Sequence, residues 1–209
     1  MPTLRRPFFA KPADVLARDL IGCRLVRFFP SGCRAAGIIV ETEAYLGADD
    51  RASHAYKNRR TPRNEPMFML PGTSYVYFTY GMHFCMNVSA LAEDQPHAVL
   101  IRALEPIEGL DLMHANRTKP GAKPLRDLDL CSGPAKLCKA LAIDRDLNAI
   151  DLCSSSVLTL QRARRISDEH IIRSPRIGIA NAADWTSRPL RFSIRDNPHV
   201  SVPPRAQVF

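Results

Sequence analysis

Two glutamates and a tyrosine recur at every second position in the segment GIIVETEAYLG, which runs from residue 37 to residue 47. The branched and apolar residues around them predict a β-strand, whose side chains alternate between two faces. Glu41, Glu43 and Tyr45 would share one face, and the intervening small or branched residues would point into a core. Carboxylates on such a strand are costly unless they face water, pair or take part in chemistry. The pattern therefore leaves two interpretations open, a catalytic carboxylate or a solvated outer face.

A second candidate charge is Arg102, which interrupts the apolar run AVLIRAL at residues 98–104. A buried arginine needs an anion or several acceptors, and Glu43 on a neighbouring strand would serve. A purely structural ion pair is the alternative interpretation. Asn87, in another strand-like run, needs hydrogen-bond partners if it is buried, or it could read the edge of a base.

The segment YVYFTYGM, at residues 75–82, predicts a strand that ends in a hairpin turn at Gly81. Tyr77 and Tyr80 would lie on opposite faces, so they cannot share one structural role. Tyr80 would lie at the tip, followed by Gly81 and Met82. An aromatic side chain at the tip of a basic hairpin can wedge between base pairs from the minor groove. An exposed turn tyrosine is the alternative.

The charge balance favours a polyanionic partner, because 29 basic residues against 21 acidic ones give the 209-residue chain a net charge of +8. Three short basic runs stand out, at Lys57–Arg63, Lys119–Arg126 and Arg162–Arg165. Together they make nucleic acid the leading partner, with phosphate contacts that would position the hairpin and weaken in salt.

Cysteine, histidine and apolar patterns exclude other classes of protein. The six cysteines form no CxxC pair and the six histidines are scattered, so we expect reduced thiols and no metal site. No apolar run reaches the ~20 residues of a membrane span, and the N-terminal residues do not resemble a secretory signal. We therefore expect a cytoplasmic protein.

The length is consistent with a single domain over residues 1–209. Helices are predicted over residues 12–22, 107–117 and 134–143. A long, ordered and functional loop is predicted over residues 46–66. Strands are predicted over residues 23–29, 35–45, 75–80, 84–89, 98–104, 157–160, 177–180 and 190–194. This order predicts a mixed α/β or α+β fold with a largely antiparallel sheet.

The motifs, taken together, resemble those of the alkyladenine (3-methyladenine) DNA glycosylases, in the bacterial-type form without an N-terminal extension. The resemblance runs in order from about residue 7 to residue 202. It rests on His54 and on VETEAYLG at 40–47, RTPRNEPMFMLPGTSYVYFTYGM at 60–82, FCMN at 84–87, LIRALEP at 100–106, LCSGPAKLCKALAI at 130–143 and WTSRPLRFSIRDNPHVS at 185–201.

The resemblance implies a curved antiparallel sheet with flanking helices and a protruding β-hairpin that inserts into DNA, together with base flipping. It also implies a role for each matching residue: Glu43 as the general base, Arg102 as a holder of the attacking water, Tyr45, His54, Tyr77 and Asn87 as the base pocket, Tyr80 as the intercalating residue, and Arg63, Met82 and Lys136 as contacts to the DNA backbone. His83 stands where relatives often carry another aromatic residue, and Glu65-Pro66 departs from a more basic or glycine-rich version.

The implied reaction is hydrolysis of a purine N-glycosidic bond by a water that Glu43 activates. Candidate lesions are 3-methyladenine, 7-methylguanine, hypoxanthine and ethenoadenine. No lysine in the motif segments is placed as a Schiff-base nucleophile, so we expect a monofunctional enzyme that leaves an abasic site. Neither a metal nor an organic cofactor is expected, and a one-domain enzyme on duplex DNA is expected to act as a monomer.

Two other functions remain open at this point. A damage sensor would flip or wedge bases without cutting, and the substitution Glu43→Gln would distinguish it from an enzyme. An RNA-binding or RNA-modifying domain would also use basic charge and stacking tyrosines, and competition between damaged duplex DNA and structured RNA would identify it.

Overall fold

One eight-stranded antiparallel sheet forms the centre of the computed structural model, which describes residues 2–203. The main path runs β3-β4-β5-β2-β1-β6, while β8 pairs with β2 and β7 pairs with β8. The strands are β1 (Arg24–Phe28), β2 (Arg34–Tyr45), β3 (Ser74–Thr79), β4 (His83–Ala90), β5 (His97–Glu108), β6 (Leu158–Gln161), β7 (Ile171–Ser174) and β8 (Arg191–Ile194). The curled sheet and its few helices confirm the predicted α+β class.

The helices are short and pack on the sheet. They are α1 (Arg6–Phe9), α2 (Ala13–Leu20), α3 (Leu110–Arg117), α4 (Asp127–Leu130) and α5 (Pro134–Ala140). Helix α2 is amphipathic: Leu16 and Leu20 are fully buried, whereas Val15 is exposed. The hydroxyl of Thr42 on β2 donates to the carbonyl of Ala17 at 2.8 Å, which fixes α2 against the strand that carries the glutamates.

Strand β2 is the point at which the sheet forks. One edge of β2 pairs with β5, while the other pairs with β1 through residues 34–38 and with β8 through residues 41–43. Two register shifts against β5 lie at the fork. Ile39 faces Leu104 and Glu41 faces Ala103, so Val40 is an extra residue on β2, and Arg102 is skipped on β5 immediately afterwards. Such irregularities redirect side chains, and here they surround the two glutamates.

The predicted alternation along β2 is wrong because of this shift. Ile39 joins Ala44 in the main core, while Val40 packs with Ala103 and Val200 in a small separate cluster. Both faces of the strand are covered from residue 35 to residue 44. Glu41 and Glu43 have no exposed surface, so the interpretation of a solvated outer face is wrong.

Two other predicted elements differ. The helix predicted over residues 107–117 begins only at Leu110, because β5 continues to Glu108 and Gly109 then turns the chain with a φ of +73°. The strand predicted over residues 177–180 is irregular, and the strand in this region is β7. The amide of Ile177 is therefore outside any sheet ladder and free to bind a side chain.

The two predicted hairpins agree with the structure. Both hairpins form, with β1 and β2 in the first and β3 and β4 in the second. All six cysteines are free of disulfides. Between residues 2 and 203, none of the helices combines the length and the apolar character that crossing a membrane requires.

Candidate active site

A cavity of about 250 Å³ opens beside the β3–β4 hairpin. This volume lies just below the ~300–1,000 Å³ typical of pockets for drug-sized ligands, so it suits a single flat heterocycle. Its walls come from the strands β2 to β5, the loop after β2, the start of α5 and the segment 177–179. The lining residues include Tyr45, His54, Met67, Tyr75, Tyr77, Tyr80, Cys85, Asn87, Arg102, Pro134 and Ile177.

Three aromatic rings form one wall. The ring of His54 stands edge-on to Tyr77, with centroids 4.7 Å apart, and Tyr75 lies 5.2 Å from Tyr77. His54 Nδ1 is 2.7 Å from the Tyr75 hydroxyl. Part of His54 is open to solvent, but the protein packed around its ring and the charge of Arg63 lower its pKa to about 4. The wall is therefore uncharged at neutral pH.

The carboxylate of Glu43 is buried against three partners that line the cavity. The backbone N–H of Ile177 donates to Oε1 at 2.7 Å, and the Tyr45 hydroxyl donates to Oε2 at 3.0 Å. Arg102 Nη1 lies 3.2 Å from Oε2. An ionised carboxylate has about four acceptor positions, so one remains for a further donor such as water.

The surroundings of Glu43 also set its proton affinity. Complete burial raises its pKa above the usual value for glutamate, while Arg102, the Ile177 amide and the Tyr45 hydroxyl act in the opposite direction. A carboxylate with a raised pKa is a better proton acceptor than an exposed one. Because Arg102 lines the cavity, its guanidinium links the carboxylate to whatever the cavity holds.

Glu41 and Arg191 join Glu43 and Arg102 in a group of four charged side chains. Arg102 Nε donates to Glu41 Oε1 at 3.0 Å, and Arg191 Nε lies 3.0 Å from the same oxygen. The backbone N–H of Ser201 donates to Glu41 Oε2 at 2.7 Å. Arg102 thus makes both the structural ion pair and the contact to Glu43. Arg191 and Ser201 lie in the motif at 185–201, but sequence reasoning did not pair them with Glu41, which precedes them by 150 and 160 residues.

A second buried ion pair supports the donors to Glu43. Arg176 and Asp50 have no exposed side-chain surface, and their two contacts measure 2.5 and 2.8 Å. The guanidinium of Arg176 also donates to the carbonyl of Ala44 at 2.9 Å and lies 4.7 Å from the centroid of the Tyr45 ring. Because Ile177 follows Arg176, this pair fixes both the tyrosine and the amide that bind Glu43. Sequence reasoning missed this pair, whose members are 126 positions apart.

Asn87 is 3% exposed and faces the cavity from β4. Its side-chain amide donates to the carbonyl of Tyr75 at 3.1 Å. This bond fixes the orientation of the amide, so that its remaining polar groups are available to a ligand in the cavity.

Tyr80 is 85% exposed at the tip of the β3–β4 hairpin, at the rim of the cavity. Both Tyr80 and Gly81 have positive φ, +50° and +68°. The Met82 N–H donates to the carbonyl of Thr79 at 3.3 Å, as in a type I′ turn. Met82 is also exposed, so the tip presents two large apolar side chains to solvent.

The basic residues predicted to contact DNA divide into two locations. Arg63 lies at the hairpin, where it donates to the carbonyl of Phe78 at 3.1 Å, and Lys136 lies in α5 beside the cavity. The run Arg162–Arg165 instead follows β6, at the opposite end of the strand order from β3. That run is therefore not placed to position the hairpin.

The charged residues of the site suit hydrogen bonding and proton transfer. Across the part of the chain that the structure describes, no three His, Cys, Asp or Glu side chains come together as a metal site would need. The available chemistry is that of a buried carboxylate, an arginine and aromatic rings around a small cavity.

Comparison with known proteins gives consistent matches. A family model described as methylpurine-DNA glycosylase matches residues 7–198. Human DNA-3-methyladenine glycosylase is 46% identical over 200 residues, 93% of this chain and 66% of the human protein. The mouse protein of the same name is 46% identical over 201 residues, which cover 93% of this chain and 60% of the mouse protein.

A relative of similar size comes from Clostridium botulinum (strain Loch Maree / Type A3). The name of that clostridial protein assigns it provisionally to the 3-methyladenine DNA glycosylases. It is 46% identical over 202 residues, which cover 95% of this chain and 98% of the clostridial protein. The chain thus spans 60% to 66% of the length of these two mammalian relatives and nearly all of the clostridial one.

Proposed function

Because the chain belongs to the methylpurine-DNA glycosylase family, we propose that it is a DNA-repair glycosylase that releases damaged purines from duplex DNA. The proposed lesions are 3-methyladenine and 7-methylguanine, with hypoxanthine and ethenoadenine as further substrates. The observation that carries the proposal is a buried carboxylate, Glu43, with one unused acceptor position beside an aromatic cavity.

The cavity would receive the damaged base after it has rotated out of the duplex, since the glycosidic bond is inaccessible in stacked DNA. Tyr77, His54 and Tyr45 would contact the base. A neutral His54 suits a cationic alkylated purine, because no positive charge on the imidazole opposes it, and cation–π attraction to tyrosine adds about 0.5–2 kcal/mol. Asn87 would disfavour undamaged guanine, whose amino group meets the side-chain amide, while 7-methylguanine would offset this cost through its positive charge.

In the proposed reaction, Glu43 accepts a proton from a water as the water oxygen attacks the anomeric carbon. The C–N bond breaks and its electron pair leaves with the base. A cationic alkylated purine accepts this electron pair readily. Positive charge that develops on the sugar is stabilised by the carboxylate of Glu43. Arg102 would hold the water and keep Glu43 oriented.

We further propose that the product is an abasic site without strand cleavage. Lyase chemistry commonly needs an amine nucleophile, and no lysine lines the cavity among the described residues. Tyr80 would occupy the space that the flipped nucleotide vacates, and Met82, Arg63 and Lys136 would contact the adjoining backbone.

The test is base release from defined duplexes that each carry one lesion, measured with excess enzyme in a single turnover. Glu43→Gln is expected to slow release by about 10²–10⁴-fold, because general base catalysis is lost. Glu93→Gln is the matched control, since it removes an exposed carboxylate outside the site.

Binding of the same duplexes is measured in parallel. Retained binding with lost release would support Glu43 as the base. Equal release by wild type and Glu43→Gln would exclude that role. Lesion binding without release by the wild-type protein would instead identify a damage sensor.

A further inference from the structure

A second concave surface lies away from the candidate active site. Two adjoining cavities of about 390 and 530 Å³ share Phe8, Lys11 and Arg162 in their walls. We call this surface the basic groove. It is lined by six cationic residues, Arg5, Lys11, Arg18, Arg162, Arg164 and Arg165, and by a single acidic residue, Asp19.

The basic groove and the candidate active site share no lining residue. The groove is built from α1, α2 and the segment that follows β6, whereas the active-site cavity is built around β3, β4 and β5. Strands β3 and β6 are the two ends of the main strand order. One surface can therefore be occupied without using the residues of the other.

Several cations of the groove are not neutralised within the described residues. Three of the six are paired: Lys11 with Asp19 at 2.7 Å, Arg18 with Asp168, and Arg164 with Glu105 at 2.9 Å. Between residues 2 and 203, Arg5, Arg162 and Arg165 have no carboxylate within 4.0 Å, and all three are exposed. Unpaired cations in a concave surface produce a local positive potential that attracts polyanions.

The ring of Phe8 contacts two of the six cationic side chains of the basic groove. Lys11 Nζ lies 4.7 Å and Arg162 Cζ lies 5.3 Å from the centroid of its ring. Long basic side chains ordinarily lose rotamer freedom when they bind a ligand. Their prior contact with Phe8 lowers that cost, so the groove is partly organised before binding.

We propose that the basic groove binds the phosphodiester backbone of a second DNA segment while the active site engages the first. The proposal rests on the proposed function only for the choice of DNA as the polyanion. Duplex DNA offers one negative charge per ~1.7 Å of its axis, which suits a row of cations without any base readout. Two sites on one chain would let the protein pass between DNA segments without dissociating.

The test counts the short undamaged duplexes, of about one helical turn, that one chain binds at low salt, using sedimentation velocity. Wild type is expected to bind two duplexes, and the double variant Arg162→Ala/Arg165→Ala only one. The matched control is Arg145→Ala/Arg188→Ala, which removes the same charge from exposed arginines outside the groove and outside the three basic runs. The control is expected to bind two.

Salt dependence gives a second measurement. For the second duplex, loss of two phosphate contacts is expected to reduce the slope of log K against log salt by about 2. A single duplex bound by wild type, or equal losses in both double variants, would overturn the proposal. Inorganic tripolyphosphate that binds at the groove while no second duplex does would also overturn it, in favour of a small polyanion.

Base release distinguishes this proposal from the proposed function. The groove variant is expected to release a lesion base at the wild-type single-turnover rate, because none of its substitutions touches the active-site cavity. Absence of release by the wild-type protein would refute the glycosylase proposal and leave the count of bound duplexes unaffected.

Discussion

Glu43 combines complete burial with three donors, and these features have opposite effects on its pKa. Burial disfavours the charged form, whereas Arg102 and the two hydrogen bonds favour it. The pKa remains raised, so the carboxylate is more basic than that of an exposed glutamate. The histidine and tyrosine side chains of the cavity are neutral over a wide range: the pKa of His54 is about 4, and burial raises the pKa values of Tyr45 and Tyr77 above that of free tyrosine.

The directions of these pKa shifts predict the pH profile of base release. Protonation of Glu43 removes the base, so the rate should fall as pH decreases through its pKa, at a pH above the usual glutamate value of about 4.3. No further limb is expected up to about pH 9, because His54 is already neutral and the tyrosines remain protonated. The measurement is single-turnover release of ethenoadenine, whose nucleoside has no ring N–H to lose in this range.

The same profile tests the role of Arg102. Because this cation lowers the pKa of Glu43, Arg102→Met should move the acid limb to higher pH as well as slow the reaction. Arg126→Met removes an exposed cation elsewhere and should leave the limb in place. An acid limb that stays unchanged in Arg102→Met would contradict the coupling.

At the level of elements, the tip of the β3–β4 hairpin carries an exposed tyrosine in a backbone conformation that lowers the stability of the protein. A non-glycine residue in the left-handed region costs about 1–2 kcal/mol, and Tyr80 occupies it with 85% of its surface exposed. Asparagine tolerates this conformation, and Asn-Gly is the preferred pair for a type I′ turn.

Tyr80→Asn is therefore expected to stabilise the protein by about 1 kcal/mol and to raise Tm by about 2–4 °C. It should at the same time weaken lesion binding by about 5–150-fold, the equivalent of losing one stacked ring. Thermal unfolding and binding to a lesion duplex measure the two effects. His83→Asn, at an exposed position three residues further along the hairpin, should change neither to this extent, and a Tyr80→Asn protein that binds normally would refute the intercalating role.

The irregular segment after β7 is held by the Arg176–Asp50 pair. Removal of one partner leaves a buried charge without compensation, which costs about 3–5 kcal/mol. Asp50→Asn is thus expected to lower Tm by about 10 °C. Below the unfolding transition it should also slow base release, because the Ile177 amide and the Tyr45 ring lose their support.

The control for this prediction is Asp184→Asn, which breaks an exposed pair with Arg188. Exposed pairs contribute about 0–1 kcal/mol, so Tm should change little. An Asp50→Asn protein that unfolds earlier but releases bases at the wild-type rate would show that the pair stabilises the fold without positioning the site.

At the scale of the whole molecule, local patterns predicted most elements, and period-two runs with turn residues identified both hairpins. Motif resemblance selected Glu43, Tyr77 and Tyr80, of which the two tyrosines line the cavity and Glu43 contacts its lining residues, while their roles stay predictions. The bulge at Val40 could not be predicted, because alternation gives no warning of a register shift. Arg176 and Asp50 were missed for a different reason: their pairing depends on tertiary contact across 126 positions.

The main core cluster draws on residues from Leu4 to Phe192, so the protein is expected to unfold in one cooperative transition. Near-UV circular dichroism and residual base release should then give the same midpoint. Because all six cysteines are free, a reducing agent should leave this midpoint unchanged. Separate midpoints for the two signals would indicate that the site opens before the core does.

The fork at β2 has a consequence for the order of events during synthesis. Glu43 is made early, but two of its supports, Ile177 and the Arg176 pair, are made some 130 residues later, which corresponds to on the order of ten seconds of translation. Contacts of such long range also form slowly. A nascent or truncated chain thus carries its carboxylate without the neighbours that tune it, and the capacity to cut glycosidic bonds would arise only once the fold is complete.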